Sequence, residues 1–391
     1  MSDIPTEVIF EILCCLPVES LLKFRCVCKT WKALIDSPRF EKMHLNRSLE
    51  LKSVDINAKL ILCGDFCWCD VSFELLDTRI DAQSTMITVN YPLKHEECLT
   101  LVMGYCNGLF LVTCGLDCAL WNPSTRKFIR LPDFEHNKPK EGITFFQYHC
   151  GFGYDKITDD YKVIRIMQAS GADQNCSKTV VYSLKSHSYR RTKEFPFWIS
   201  QDLGGIFVFG ALHWLVSVPS ETHNEYMVVA FDLGSEEYKL VPLPLQLGAP
   251  NQVDLGVFEG CLSMSCNYEC EHVDIWLMRE SWAKFLSLEV DVNWSFKENV
   301  KPISYSRSGE YVILEKDKDQ LICYDLELKL MRNFLIIHGP PTFNTFLFSG
   351  SLVLNGIGGD EVSKKMDPTK EKQKKTKKRD DFLSTGFKLK L

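Results

Sequence analysis

The sequence predicts an α+β protein in two parts, a small unit of three helices followed by an all-β domain built as a ring of repeated hairpins. Three observations point there. The first 45 residues carry apolar side chains at helical spacing between proline breaks. From about residue 50 the apolar runs shorten and are separated by Gly, Asn, Asp and Ser, the pattern of many short strands. An aromatic-led hairpin word then recurs at intervals of 61, 49, 45 and 48 residues, which brackets the roughly 40–50 residues of a four-stranded propeller blade.

In the helical unit, Pro5 suits a first turn, and Val8, Ile9, Ile12, Leu13 and Leu16 follow on one face. Pro17 interrupts that helix. Leu21, Leu22 and Phe24 with Val27, Cys28 and Trp31 give a second stripe. Ser37 can cap a third, short helix with Pro38 at its first position, running through Phe40 and Met43. So small a unit carries more apolar side chains than it can bury against itself. The surplus either packs on the β domain or faces a partner.

In the β domain the leading aromatics are Trp121, Tyr182, Phe231, Trp276 and Tyr324, each followed by a polar turn and a second strand. The other half of each unit is a Gly-centred turn before an apolar strand, at Gly108, Gly210, Gly260, Gly309 and Gly350. A lone hairpin cannot bury its apolar face, so the units stack, and closure into a ring hides sheet edges that would otherwise aggregate. Spacing is irregular and 46–100 holds no clean unit, so six to eight blades are expected. An aromatic at the same place in every unit is what a packed blade core requires, rather than a ligand cage.

The 391 residues and 45.0 kDa exceed one ordinary core. They divide into a helical module (1–45), a connecting segment with the first β elements (46–100), the propeller-like domain (101–358) and a Lys-rich tail (359–391). Net charge is −6, but Lys364 to Arg379 holds nine basic and two acidic side chains, so the rest carries −13 and nucleic acid is not an expected partner. The tail is either a solvated segment or a nuclear-import signal. Despite 17 cysteines, the start Met1-Ser-Asp-Ile-Pro5 is no signal peptide, and no apolar run is long enough for a membrane span. The expectation is a soluble protein with free thiols in the cytoplasm and/or nucleus, without a membrane partner.

Several motifs suggest chemistry and fall short of it. Cys63, Cys67 and Cys69, and Cys266, Cys270 and His272, look like halves of a zinc site, yet separate blades need not bring them together. Gly151-Phe-Gly153-Tyr-Asp lacks the third Gly and the helix of a dinucleotide loop. His149, His187, His213 and His272 have no nucleophile or His-Glu-x-x-His context. No cofactor, metal or catalytic residue is therefore expected. A propeller enzyme or lectin is the alternative from another class, since loops can carry chemistry that sequence does not align.

The words Leu16-Pro17-Val-Glu-Ser-Leu-Leu, Phe24-Arg25-Cys26-Val27-Cys28-Lys29-Thr30-Trp31 and Ser37-Pro38-x-Phe40 closely resemble the plant F-box, with Ile4 where that family usually has Leu. Gly104-Tyr-Cys-Asn-Gly-Leu, Leu120-Trp-Asn-Pro-Ser-Thr-Arg-Lys-Phe, Gly151-Phe-Gly-Tyr-Asp155 with Asp160-Tyr-Lys-Val-Ile, Val181-Tyr-Ser-Leu and Gly210-Ala-Leu-His-Trp resemble the F-box-associated interaction domain, often labelled F-box/kelch-repeat. The ending Phe348-Ser-Gly-Ser-Leu-Val-Leu-Asn is similar to the S-locus and defence-regulating branches. Kelch repeats carry a diglycine in each blade; among the repeats here, up to about residue 355, Gly204-Gly205 is the single one.

The resemblance implies a substrate-recognition subunit of an SCF-type (Skp adaptor–cullin–F-box) ubiquitin ligase. Pro5, Ile9, Ile12, Leu16, Pro17, Leu21, Val27, Cys28 and Trp31 would enter a groove of the Skp-type adaptor, and through it meet cullin and RING protein. The ring would hold an unidentified protein substrate on loops such as 134–146, 169–178, 196–204, 219–226 and 244–254. Such a chain makes no bond itself and acts by proximity. A module that assembles with the adaptor without directing ubiquitination is the alternative.

Overall fold

The computed structural model describes residues 5–50, 58–65, 67–72, 84–85, 87–95, 98–133, 143–171, 175–199, 204–219, 224–268, 271–289, 300–306, 308–334, 336–337 and 340–354. Four helices come first, not three: α1 (Thr6–Cys14), α2 (Val18–Phe24), α3 (Lys29–Ile35) and α4 (Pro38–Glu50). Pro5 and Pro17 sit in extended backbone immediately before α1 and α2, where a missing N–H costs nothing. The expected second stripe is split because Cys28 is extended (φ −157°) and caps α3, its Sγ accepting the Trp31 N–H at 3.4 Å. Ser37 caps α4 as its sequence suggests, Oγ accepting from the Phe40 N–H at 3.3 Å. That helix is not short; its 13 residues run past residue 45 to Glu50.

The strands form a propeller of six four-stranded blades, the low end of the expected range. The first blade contains β1 (Lys59–Cys63), β2 (Trp68–Ser72) and β4 (Ile87–Val89), with β3 (Ser84–Thr85) between the last two in the chain. The second runs β5 (Thr100–Cys106), β6 (Leu109–Cys114), β7 (Asp117–Asn122) and β8 (Lys127–Arg130); the third β9 (Ile143–Asp155), β10 (Asp160–Gly171), β11 (Asn175–Ser183) and β12 (Ser188–Arg191). The fourth holds β13 (Ile206–Val208), β14 (Ala211–Pro219), β15 (Asn224–Asp232) and β16 (Tyr238–Val241). The fifth holds β17 (Gln252–Phe258), β18 (Cys261–Tyr268), β19 (His272–Met278) and β20 (Trp282–Glu289); the sixth β21 (Val300–Tyr305), β22 (Tyr311–Lys316), β23 (Gln320–Asp325) and β24 (Met331–Phe334). β25 (Ile336–Ile337) pairs parallel with β3.

The last strand, β26 (Asn344–Phe348), closes the ring by pairing antiparallel with β1, Lys59 against Phe348 and Cys63 against Asn344. This explains the missing unit in 46–100: that blade is completed from the other end of the chain. The five repeat aromatics all fall on third strands and are buried, as a blade core requires. Asn107-Gly108, Phe209-Gly210 and Glu259-Gly260 have positive φ at both residues, which is the geometry of the tight hairpins joining first and second strands. Gly350 departs from the pattern. It lies beyond β26, no strand follows it among the described residues, and it packs against Val18 of α2 and Ser124.

These tight turns share the lower face of the ring with the helical module. The upper face carries the long connectors between blades. Neighbouring blades are locked below by the Gly151-Phe-Gly-Tyr-Asp155 and Asp160-Tyr-Lys162 words. A Cβ at Gly153 would come within 2.3 Å of the Phe207 ring, and buried Lys162 Nζ reaches Asp155 (2.8 Å), Glu236 (3.3 Å) and the Leu233 carbonyl (2.7 Å) in the next blade. Burial pushes the Asp155 carboxyl up, but hydrogen bonds from Lys162, Thr158 and the Ile157 N–H outweigh it and hold it below the usual carboxylate range.

Candidate adaptor-docking face

The helical module has its own core of Leu13, Cys14, Val18, Leu21, Ile35 and Phe40, and one further residue from far away, Leu352. After β26 the chain turns under the ring and inserts Leu352 among the helices, while Val353 and Leu354 pack into the second and third blades. Buried Asn122 holds this segment: its Nδ2 donates to the Ser351 (2.9 Å) and Val353 (2.8 Å) carbonyls, and its Oδ1 accepts from the Ser124 and Thr125 N–H groups. Ion pairs add to the joint, Lys59 to Glu19 at 2.8 Å and Lys42 to Asp159 at 2.5 Å.

What this packing leaves uncovered is an apolar surface. Ile12 is 54% exposed and Val27 61%. Pro5 and Cys28 are exposed, and Ile9, Leu16, Pro17 and Trp31 are half-buried. Trp31 is held edge-on against Phe24, ring centroids 5.6 Å apart. Leu21 is the exception among the residues expected to meet an adaptor. It is 0% exposed, because α2 turns it inward onto Leu13 and Ile35, so it supports the surface without forming it. Val8, 46% exposed, was missed; its signal was the i, i+4 relation to Ile12 on α1.

Several residues of the motifs that suggested chemistry lie buried in the blades. Cys63 and Cys69 lie on paired strands, and burial pushes both thiols up, Cys69 to about 11. Cys270 lies outside the described residues, among which no group of three His, Cys, Asp or Glu could hold a metal ion. His213 is buried with Nδ1 3.2 Å from the Ile206 carbonyl, and burial lowers its pKa. His187 Nδ1 lies 3.3 Å from the Tyr182 hydroxyl. No helix among the described residues is long and apolar enough to cross a membrane. The Lys-rich tail lies outside the described residues.

A helical module with an uncovered apolar face is thus fixed beneath a six-bladed ring. The F-box domain family matches residues 1–43, and the F-box associated beta propeller domain family matches residues 59–374. The chain belongs to the F-box proteins that carry this propeller, and F-box domains bind Skp-type adaptors. It is 31% identical to F-box protein CPR1 of Arabidopsis thaliana over 100% of both chains. It is equally 31% identical to F-box protein At4g22390 of that plant, again over 100% of each. Identity to F-box/kelch-repeat protein At3g23880, also of Arabidopsis thaliana, is 30%, covering 80% of this chain and 85% of that one.

Proposed function

We propose that this chain is the substrate-recognition subunit of an SCF-type ubiquitin ligase, acting in the cytoplasm or nucleus. The exposed Ile12 and Val27, on an F-box already packed against its own ring, carry this reading. They are apolar area that water disfavours and that an adaptor groove would bury. Half-buried Leu16 and Trp31 border the same surface. The cysteines among the described residues are free thiols, which suits a reducing compartment.

Substrate would sit on the opposite face. The loops expected to hold it all connect strand ends on the upper side, though 134–142, 172–174, 200–203 and 220–223 lie outside the described residues. The chain then serves catalysis only by holding a substrate lysine near a charged ubiquitin carrier. Co-precipitation from plant extract tests the docking face. Wild type is expected to bring down a Skp-type adaptor and cullin, and Ile12→Asp with Val27→Asp to lose both without a change in melting temperature. A double variant that still captures cullin removes this face from consideration.

A further inference from the structure

The axis of the ring encloses a cavity of about 720 Å³, within the roughly 300–1,000 Å³ typical of ligand sites. Its two ends differ. α4 lies over the lower one, where Leu45, Ser48 and Leu49 join the lining. The upper end, on the proposed substrate side, is lined by Asp65, Asp254 and Lys318.

The charges around the cavity are not equally available. Lys301 Nζ donates to the Thr345 carbonyl at 2.9 Å and lies 5.0 Å over the Phe346 ring, and Glu315 accepts the Thr345 N–H. This opposite pair is spent on clipping β26 to the sixth blade. Of the remaining charged lining at the upper end, Asp65 and Asp254 stand with the single cation Lys318 among the described residues. Asp254 accepts from Gln252 Nε2 at 3.0 Å. Trp214 Nε1 and Thr345 Oγ1 find no hydrogen-bond partner among the described residues, but both atoms are sealed from the cavity and offer nothing to a ligand in it.

We propose that the upper mouth of the channel receives an arginine or lysine side chain from a segment of the substrate protein. Its cation rests on Asp254, with Asp65 at the same end of the cavity. This deepens the receptor reading and rests on it. The lining below the mouth is largely apolar, so a long side chain with an apolar stem and a cationic head fits it, whereas a bare metal ion would leave that surface uncovered. Burial pushes the Asp254 carboxyl up to about 6, with Gln252, Lys318 and Lys301 pulling it down and Glu315 pushing it up. An arriving cation favours the ionised form, so peptide binding weakens as the pH falls through about 6.

The test uses the full-length chain on arrays of nine-residue peptides, randomised except for Arg, Lys, Gln or Glu at the centre. Arg- and Lys-centred peptides are expected to be retained about tenfold over Gln-centred ones. Asp254→Asn is expected to abolish that preference, and Lys318→Ala, which removes a competing cation, to raise it a few-fold. Both variants should still capture the adaptor, which shows that they fold. Equal retention of Gln- or Glu-centred peptides, or an undiminished Arg preference in Asp254→Asn, overturns the proposal. The two readings separate cleanly: Ile12→Asp with Val27→Asp should lose the adaptor and keep the Arg preference. Wild type that prefers Arg but captures no adaptor defeats the ligase reading alone.

Discussion

The two faces of the ring are built by different means. Below, two-residue hairpins with left-handed backbone at Asn107-Gly108, Phe209-Gly210 and Glu259-Gly260 leave short, stiff turns. Buried polar anchors at Lys162 and Asn122 hold that side together, and the helical module is packed onto it. Above, the blades are joined by longer connectors, and the strands of the third blade extend far, β9 over 13 residues and β10 over 12. The channel mouth on that side keeps an under-compensated carboxylate. The contrast teaches a division of labour: the lower face spends its polar groups on rigidity, whereas the upper face leaves some unspent.

Within the helical module the sharpest break is between an inward and an outward apolar residue. Leu21→Asp puts a charge into a sealed core and is expected to cost about 5 kcal/mol, losing both helix signal and adaptor capture. The docking-face pair should lose capture alone; circular dichroism beside the pull-down separates the two. Next in size is the lower lock. Lys162→Met strands buried Asp155 and should cost about 3–5 kcal/mol in urea unfolding, most of it recovered by Asp155→Leu in the same chain. Because Asp155 is held below its unfolded value of about 3.9, its stabilisation is complete above that pH and is lost as the pH falls through the lower folded value. Wild type should therefore show the steeper acid loss, and parallel pH profiles for the wild type and the double variant would refute that assignment.

Leu352→Ala tests whether the module and the ring share a core. A loss of about 2–4 kcal/mol is expected, with weaker adaptor capture although residue 352 is more than 300 positions from the docking helices. Normal capture and stability would show that the insertion of this side chain is dispensable. The smallest effect belongs to Lys42→Ala. Its pair with Asp159 is more than half exposed on both sides, so the change should stay below about 1 kcal/mol and vanish in high salt.

Much of this was legible because it is local. Proline breaks and 3.6-residue spacing set the helices, the Ser37-Pro38 cap launched α4, and recurring aromatics and Gly turns marked five blades, since propensity, capping and turn geometry act within a few residues. Cys28 was harder to place. It was expected within a continuous stripe, whereas a thiol cap starts a new helix there. What only the tertiary structure decided involves partners distant in sequence. The first blade needed β26, the module needed Leu352, and Leu21 rather than Val8 proved to be the inward residue once four helices packed together. The channel mouth draws Asp65, Asp254 and Lys318 from three different blades. Ring closure alone brings them to one cavity, because burial and charge balance are properties of packed surfaces and have no period along a chain.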